Sequence, residues 1–315
     1  MSREGAPRGN PRRASSRNRW RANGFALGAA LVAWIGLGVL LYPSAASWFS
    51  LVEQSRIVTS YTEEVDAGTD PSAAEQIEAT HEYNKALTAG AVLEANQRLP
   101  TGKGTTTSRL DYNTLLRVDA STVMGRIRIP AISLDLPVYH GTSDETLLLG
   151  IGHLRGTSLP VGGASTHSVL TGHRGLATAA MFTDLNLVTV GDTFSISVLD
   201  QVLTYKVISS IVVEPDETEA LRPMEGRDLV TLVTCTPLGI NSQRILVTGE
   251  RVTPTPVAEV EAAKSLPEPG FPWWAVAFGV GTLLVGAYAW RSGYPPRRSS
   301  RRARVDSVGA PTQDA

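Results

Sequence analysis

DLVTLVTCTPLGINSQRILVTGER, residues 228–251, holds two runs rich in β-branched and aliphatic residues on either side of a short segment with proline, glycine and asparagine. Valine, isoleucine and threonine fit a pleated, half-buried surface, whereas Pro237, Gly239 and Asn241 suit turns. The stretch therefore reads as two adjacent antiparallel strands joined by a tight connection. Cys235, the only cysteine of the chain, ends the first strand, and Arg244 opens the second nine residues later. Pairing across that connection would bring thiol and guanidinium together. On composition alone a strand cysteine is more often a small inert hydrophobe. A neighbouring guanidinium changes the reading, because it favours the thiolate and can hold a developing oxyanion.

The same texture extends upstream. GRIRIPAISLDLPVYHG (125–141), THSVLTGH (166–173), DTFSISVLD (192–200) and LTYKVISSIVVEP (203–215) alternate apolar and polar residues and are separated by glycine, proline and aspartate. Short strands at this spacing predict an all-β fold, a closed or nearly closed barrel. Five histidines are present, at 81, 140, 153, 167 and 173. His81 falls among polar residues of a helical stretch, and His140 and His153 beside loop glycines, where structural hydrogen bonding is the expected role. His167 begins the strand THSVLTG and His173 follows it, between Gly172 and Gly175, so His173 leads His167 as a candidate partner for the thiol. A lone cysteine permits no intramolecular disulfide and no cysteine-based zinc site, and no metal or other cofactor is expected.

Ahead of the strands, Asp70-Pro71-Ser72 resembles a helix start, followed by a helix or helical hairpin over Ala73–Arg98 with a break at Ala89-Gly90. Pro100–Thr107 is a polar glycine/threonine loop. Two uncharged apolar runs bracket everything: 24–42 and 271–290, of 19 and 20 residues. Each matches the length needed to cross about 30 Å of hydrocarbon as a helix. Residues 1–23 carry seven arginines against Glu4, residues 291–315 carry six against Asp306 and Asp314, and residues 43–270 carry 16 basic and 27 acidic residues. This pattern places both termini in the cytoplasm and the middle of the chain outside, and argues for compartments rather than nucleic-acid binding. A cleaved signal peptide is the alternative for the first run. The expected layout is a basic tail (1–23), a membrane helix (24–42), a helical extension with a lid-like loop (43–115), a catalytic barrel (116–252), a Pro/Glu-rich spacer (253–270), a second membrane helix (271–290) and a basic tail (291–315).

Within this frame TLVTC (231–235) resembles the TLxTC signature of sortases, TGHRG (171–175) resembles their histidine motif, and NSQRILVTGER (241–251) the segment bearing their essential arginine. The likeness continues through GRIRIPAISLDLPVYHGT, GHLRGTSLPVGG and MFTDL and covers roughly 123–252 in order; TGHRGLATA, TCTPLGIN and the second apolar span are most similar to the class C, pilus-building branch. The resemblance implies an eight-stranded sortase-type β-barrel with an N-terminal helical extension and two flanking transmembrane helices. It assigns Cys235 as nucleophile, His173 as general acid, Arg244 as transition-state support, and Thr234 and Thr236 as substrate-binding residues. The implied activity is transpeptidation: cleavage of an LPxTG-like sorting signal between Thr and Gly in a pilin or surface protein, then transfer to an amine, a pilin lysine or a cell-wall peptide. Housekeeping anchoring of surface proteins is the alternative to pilus polymerisation.

Two features depart from that pattern. Class C relatives carry an Asp-Pro-aromatic lid motif ahead of the barrel, while PTGKGTTTSRLDY (100–112) has no such tripeptide; a lid of other chemistry, with Asp111-Tyr112, or an open site follows. LPEPG (266–270), followed by an apolar span and arginines, imitates a sorting signal, so a non-catalytic surface protein that is itself a sortase substrate is a further reading, opposed by Pro269 where threonine is expected.

Overall fold

The structure, a computed structural model, describes residues 20–87, 110–118, 122–176 and 179–294. It divides into two compact units, one holding the chain up to Leu41 together with residues from Trp274 onward, the other spanning Tyr42–Trp273.

In the larger unit eight strands close into a barrel: β1 (Val123–Ile129), β2 (Leu134–His140), β3 (Ile151–His153), β4 (Thr166–Thr171), β5 (Thr193–Val198), β6 (Gln201–Val213), β7 (Asp228–Thr236) and β8 (Gln243–Arg251). Their order around the barrel is β1-β2-β3-β4-β7-β8-β6-β5, and β5 pairs back onto β1. The expected all-β barrel is what forms. Two pairings are parallel, β2 with β3 and β4 with β7; the others are antiparallel. Closure leaves no exposed edge to recruit another strand.

Because side chains alternate across a strand, each strand feeds two clusters. Leu170, Val230, Leu232, Ile245 and Val247 point into the main core with Phe182, Phe194 and Tyr205. The rings of Phe194 and Tyr205 stack there at 5.5 Å. Residues one position away, Val169, Val233 and Leu246, face the other side with Leu154, Val213 and Leu221 and form a second, smaller cluster. Leu221 belongs to a 3₁₀ turn, Glu219–Leu221, in the connection between β6 and β7. The second cluster is thus a buried apolar layer on the outer face of β4, β7 and β8, to which that connection contributes Leu221.

The helical parts sharpen the sequence-based layout. Helix α1 runs Gly24–Ala67, through Pro43 and well past the apolar run. Helix α2 is Ala73–Ala86, with Ser72 and Glu75 forming the capping box that the Asp-Pro-Ser start anticipates. The rest of the expected hairpin, and 100–109 of the lid-like loop, lie outside the described residues. The end of that loop is described. Tyr112 is buried; its hydroxyl lies 2.9 Å from His153 Nδ1 and accepts from the Gly141 N–H at 3.0 Å. It anchors its segment in the main core.

The Pro/Glu-rich residues 253–270 include a helix, α4 (Val257–Lys264), that packs on β5 and β6. Arg126, almost wholly buried on β1, donates to the carbonyls of Ala263 at 2.8 Å and Ser265 at 2.7 Å, and its charge is balanced by Asp135. Further on, Ser55 donates to the Pro267 carbonyl and Trp48 Nε1 to the Gly270 carbonyl. In the smaller unit α5 (Trp273–Ser292) meets the first part of α1, with Trp34 Nε1 donating to Thr282 Oγ1 at 3.1 Å. The two helices are long and apolar enough to cross a membrane.

Candidate active site

Two strand registers assemble the site. On one side of β7 the antiparallel ladder to β8 sets Cys235 directly opposite Arg244. Directly opposed residues of such a pair project to the same face. On the other side the parallel ladder from β4 pairs Thr171 with Val233, and the Gly172 N–H continues it onto the Val233 carbonyl at 3.1 Å. Two residues past that pair stand His173, beyond the end of β4, and Cys235, still on β7. The parity of Val233 and Leu246 carries through to Cys235 and Arg244, so both belong to the outer face.

Local sequence explains the shape. The β7–β8 connection turns tightly, with Gly239 (φ +81°) and Asn241 (φ +58°) in the left-handed region and the Asn241 N–H closing onto the Pro237 carbonyl at 2.9 Å. Arg244 Nη1 donates to the carbonyls of Asn241 at 2.9 Å and Gln243 at 3.0 Å, so the turn holds the guanidinium. The histidine loop passes close to this turn: at Gly175 (φ +75°) an added Cβ would lie 2.4 Å from Leu238 Cδ2. At Gly172 it would lie 2.7 Å from both Ile151 and Phe182.

Cys235 and Arg244 are buried, and His173 is half-buried. Burial pushes the thiol above its ordinary pKa, and the Arg244 guanidinium opposes that shift. Burial also lowers the His173 imidazole, opposed by the carboxylate of Asp144 in the first turn of α3 (Asp144–Leu149). Both groups therefore lean to their neutral forms, and the Coulombic contacts lean the other way.

The other histidines take structural posts. His153 is completely buried, its Nε2 on the Ser158 carbonyl at 2.9 Å, and its pKa is pushed down to about 4 by burial. His140 has Nδ1 on the Thr122 carbonyl and Nε2 on the Leu115 carbonyl. His167 faces the Arg222 carbonyl with Nδ1 at 3.0 Å and Thr231 Oγ1 with Nε2 at 2.7 Å. A carbonyl only accepts, so Nδ1 carries the proton and the Thr231 hydroxyl donates to Nε2. The two threonines named beside the thiol are engaged within the protein: Thr234 Oγ1 donates to the Gly172 carbonyl at 2.7 Å, and Thr236 Oγ1 accepts from Arg174 Nη1 at 2.8 Å. Among the described residues no group of three or more His, Cys, Asp or Glu side chains is placed to hold a metal. Sequence reasoning missed Arg174. Its only signal was its place inside TGHRG, and its partner Thr236 lies 62 residues away.

Residues 127–252 match the model of the sortase domain. Sortase A of Bacillus anthracis is 30% identical over 150 residues, covering 46% of this chain and 70% of that relative. The chain belongs to the sortase family. This sortase is a cysteine transpeptidase most like class C. It resembles the crystal structure of sortase C-1 from Actinomyces oris, with 50% identity, 57% of this chain and 98% of that one covered, and a TM-score of 0.51. For Streptococcus pneumoniae sortase C the identity is 37%, the coverage 64% and 100%, and the TM-score 0.56. Sortase C1 of Streptococcus agalactiae gives 42% over the same shares, also at 0.56.

Proposed function

We propose that Cys235 attacks the Thr–Gly carbonyl of an LPxTG-like sorting signal on a pilin or surface protein, and that the acyl group passes to an amine, in the first instance a pilin lysine. The observation that supports this reading is the Cys235–Arg244 pair on β7 and β8, with His173 two residues past the last β4–β7 pair. In the first half-reaction the thiolate adds to the carbonyl carbon and Arg244 stabilises the oxyanion. Protonated His173 gives its proton to the departing glycine nitrogen as the C–N bond breaks, leaving a thioester. In the second half the incoming amine adds, His173 takes its proton, and the amide forms as the thiolate departs. The thioester conserves the energy of the peptide bond, so no nucleotide is consumed. The hydroxyls of Thr234 and Thr236, on either side of the thiol in the chain, are engaged with Gly172 and Arg174.

The reading extends to topology: both apolar helices span the cell membrane, both arginine tails are cytoplasmic, and the barrel faces outward. Anchoring of surface proteins to cell-wall amines is the second reading, favoured by the absence of an Asp-Pro-aromatic tripeptide in 100–112. The self-substrate reading of LPEPG is opposed by Pro269 and by the bonds that Ser55 and Trp48 make to its Pro267 and Gly270 carbonyls.

The full chain in detergent, given sorting-signal peptides with either a pilin-derived lysine peptide or a cell-wall peptide, tests this by mass spectrometry. A Thr–lysine isopeptide product supports polymerisation, and a cell-wall adduct alone supports anchoring. No covalent intermediate with any peptide overturns the proposal.

A further inference from the structure

The residues that flank His173 are hydrogen-bonded to the residues that flank Cys235. On the near side the Gly172 carbonyl accepts from Thr234 Oγ1 at 2.7 Å. On the far side Arg174 Nη1 donates to Thr236 Oγ1 at 2.8 Å. Gly172 and Arg174 bracket the histidine, Thr234 and Thr236 bracket the cysteine, and each flank of one is tied to the matching flank of the other.

The near tie continues the strand ladder and follows from it. The far tie does not. The last pair of the β4–β7 ladder is Thr171 with Val233, after which β4 ends while β7 runs on to Thr236. Past that point backbone pairing no longer sets the spacing of the two chains. The loop it enters is intrinsically loose, with Gly172 before and Gly175 after the histidine. Something else must hold His173 at a reproducible distance from the thiol.

The Arg174 side chain has the geometry for that task. Besides Thr236, its Nε donates to the Thr183 carbonyl at 3.0 Å and its Nη2 to Asn186 Oδ1 at 2.8 Å. Three separate stretches, the histidine loop, the end of β7 and the Thr183–Asn186 turn, thus meet on one planar guanidinium. The turn is tied to the loop twice more, by the Phe182 N–H on the His173 carbonyl at 2.9 Å and the Gly175 N–H on Thr183 Oγ1 at 3.1 Å. A planar fork with fixed donor directions constrains three acceptors at once, which a flexible ammonium does not.

We propose that Arg174 is a positioning residue of this sortase: through Thr236 it closes a bracket that fixes His173 against Cys235 for proton transfer. This rests on the assignment of His173 and Cys235 as the acting pair. Arg174 touches neither reacting atom in this reading; it acts through the backbone on either side of them. Displacement of a catalytic group by about 1 Å can cost about 100-fold in rate, and losing one of two ties should cost somewhat less. Because the bracket aligns enzyme groups with each other, its loss should fall on kcat and leave KM almost unmoved.

The test uses the full chain in detergent and compares Arg174→Met, Arg174→Lys, Thr236→Val, Thr236→Ser and the double variant Arg174→Met/Thr236→Val in steady-state transpeptidation, with circular dichroism as a control for folding. Arg174→Met is expected to lower kcat about 10- to 50-fold with KM within about twofold. Thr236→Val, nearly the same shape without the hydroxyl, should lower kcat about 5- to 10-fold. Thr236→Ser, which keeps the hydroxyl, should restore it to within about twofold. The double variant should be hardly worse than Arg174→Met, because both remove the same bond. Arg174→Lys should stay close to Arg174→Met. Multiplicative losses in the double variant, equal damage from Thr236→Ser and Thr236→Val, or a loss carried by KM would overturn the proposal. If Arg174→Met unfolds, the two Thr236 variants decide it alone. If instead Cys235→Ala or His173→Ala keeps full activity, the underlying assignment fails, and the contrast between Thr236→Ser and Thr236→Val would then have no bearing on catalysis.

Discussion

Strand β4 carries one histidine at its start and is followed by another just past its end, and the fold surrounds them in opposite ways. His167 has both ring nitrogens engaged, one on the Arg222 carbonyl and one on Thr231, whose hydroxyl also meets Thr248 at 2.8 Å. Burial lowers its pKa and the hydrogen bonds select one neutral tautomer. His173 stands two residues beyond the ladder, half-exposed and within the field of Asp144. A histidine with two saturated nitrogens in the interior is a fastener. One at a strand exit, half-exposed, is open to the proton exchange proposed for it. Function follows from what surrounds the ring rather than from its place in a motif.

The largest effects should come from breaking the His173 end of that comparison. Cys235→Ala should abolish acyl-enzyme formation and turnover while leaving the barrel folded, and His173→Ala should lose on the order of 10³-fold or more in kcat. Intact mass after incubation with a sorting-signal peptide reads the first; steady-state rates read the second. A covalent peptide adduct on the Cys235→Ala chain would end the assignment.

The next effect concerns Arg244, which faces the thiol from the opposite strand. Arg244→Ala should lower kcat on the order of 10²-fold, the range for losing an oxyanion donor, and Arg244→Lys should be nearly as poor because an ammonium lacks the fork. The direction of the pH dependence is fixed by the same contacts. The productive state needs thiolate and imidazolium together, and with the thiol pKa above that of the imidazole, kcat/KM should rise through the imidazole's pKa and fall through the thiol's. Burial raises the thiol and lowers the imidazole, so that state is a minor population and the two limbs lie further apart than ordinary values give. Since Arg244 holds the thiol down, Arg244→Gln should move the thiol limb to higher pH; an unmoved limb would mean that the guanidinium does not act on the resting thiol.

A smaller effect should appear in stability. His153 is fully buried and titrates at about 4 in the folded chain, against an ordinary value near 6.5 when unfolded. Between those two values the unfolded chain binds more protons, so stability is fully present above about pH 6.5 and is lost as pH falls toward 4, by up to about 3 kcal/mol. Burial also lowers His140 and His167, which act in the same direction. Urea midpoints at several pH values should show the decline, and His153→Gln, which keeps a donor for the Ser158 carbonyl, should flatten part of it. No change in slope would assign the acid sensitivity to the other two histidines.

The barrel and the Cys235–Arg244 pairing were legible from residues 228–251 because both depend on local alternation and a short turn. His173 could be ranked above His167 by its glycine neighbours, but not separated from it decisively. That separation depends on the parallel β4–β7 register, which joins stretches more than 60 residues apart and leaves no periodic trace. The Arg174–Thr236 bond and the Arg126 clasp on residues 263–265 stayed hidden for the same reason: they are long-range contacts between polar side chains and distant partners. The spacer's prolines and glutamates mask a two-turn helix that packs against β5 and β6. Apolar pattern reports the core faithfully, whereas polar side chains show their role only once the chain has brought their acceptors to them.

The smallest effect on activity should come from the other end of β4. His167→Ala removes the donor to the Arg222 carbonyl and the acceptor for Thr231, in a spot that is almost fully buried. Leaving such groups unpaired costs about 1–3 kcal/mol, with a further contribution from the cavity. The loss falls on the link between the sheet and the β6–β7 connection, not on the reacting groups. Since that connection carries Leu221 of the buried apolar cluster on β4, β7 and β8, loosening it should raise KM by about two- to fourfold and leave kcat within about twofold. His167→Gln, able to reach the same carbonyl with its amide, should recover part of the stability. Thermal denaturation and steady-state kinetics on the two variants separate the possibilities. A kcat loss in His167→Ala approaching that of His173→Ala would break the contrast between the two histidines, because a fastener would then be taking part in the chemistry.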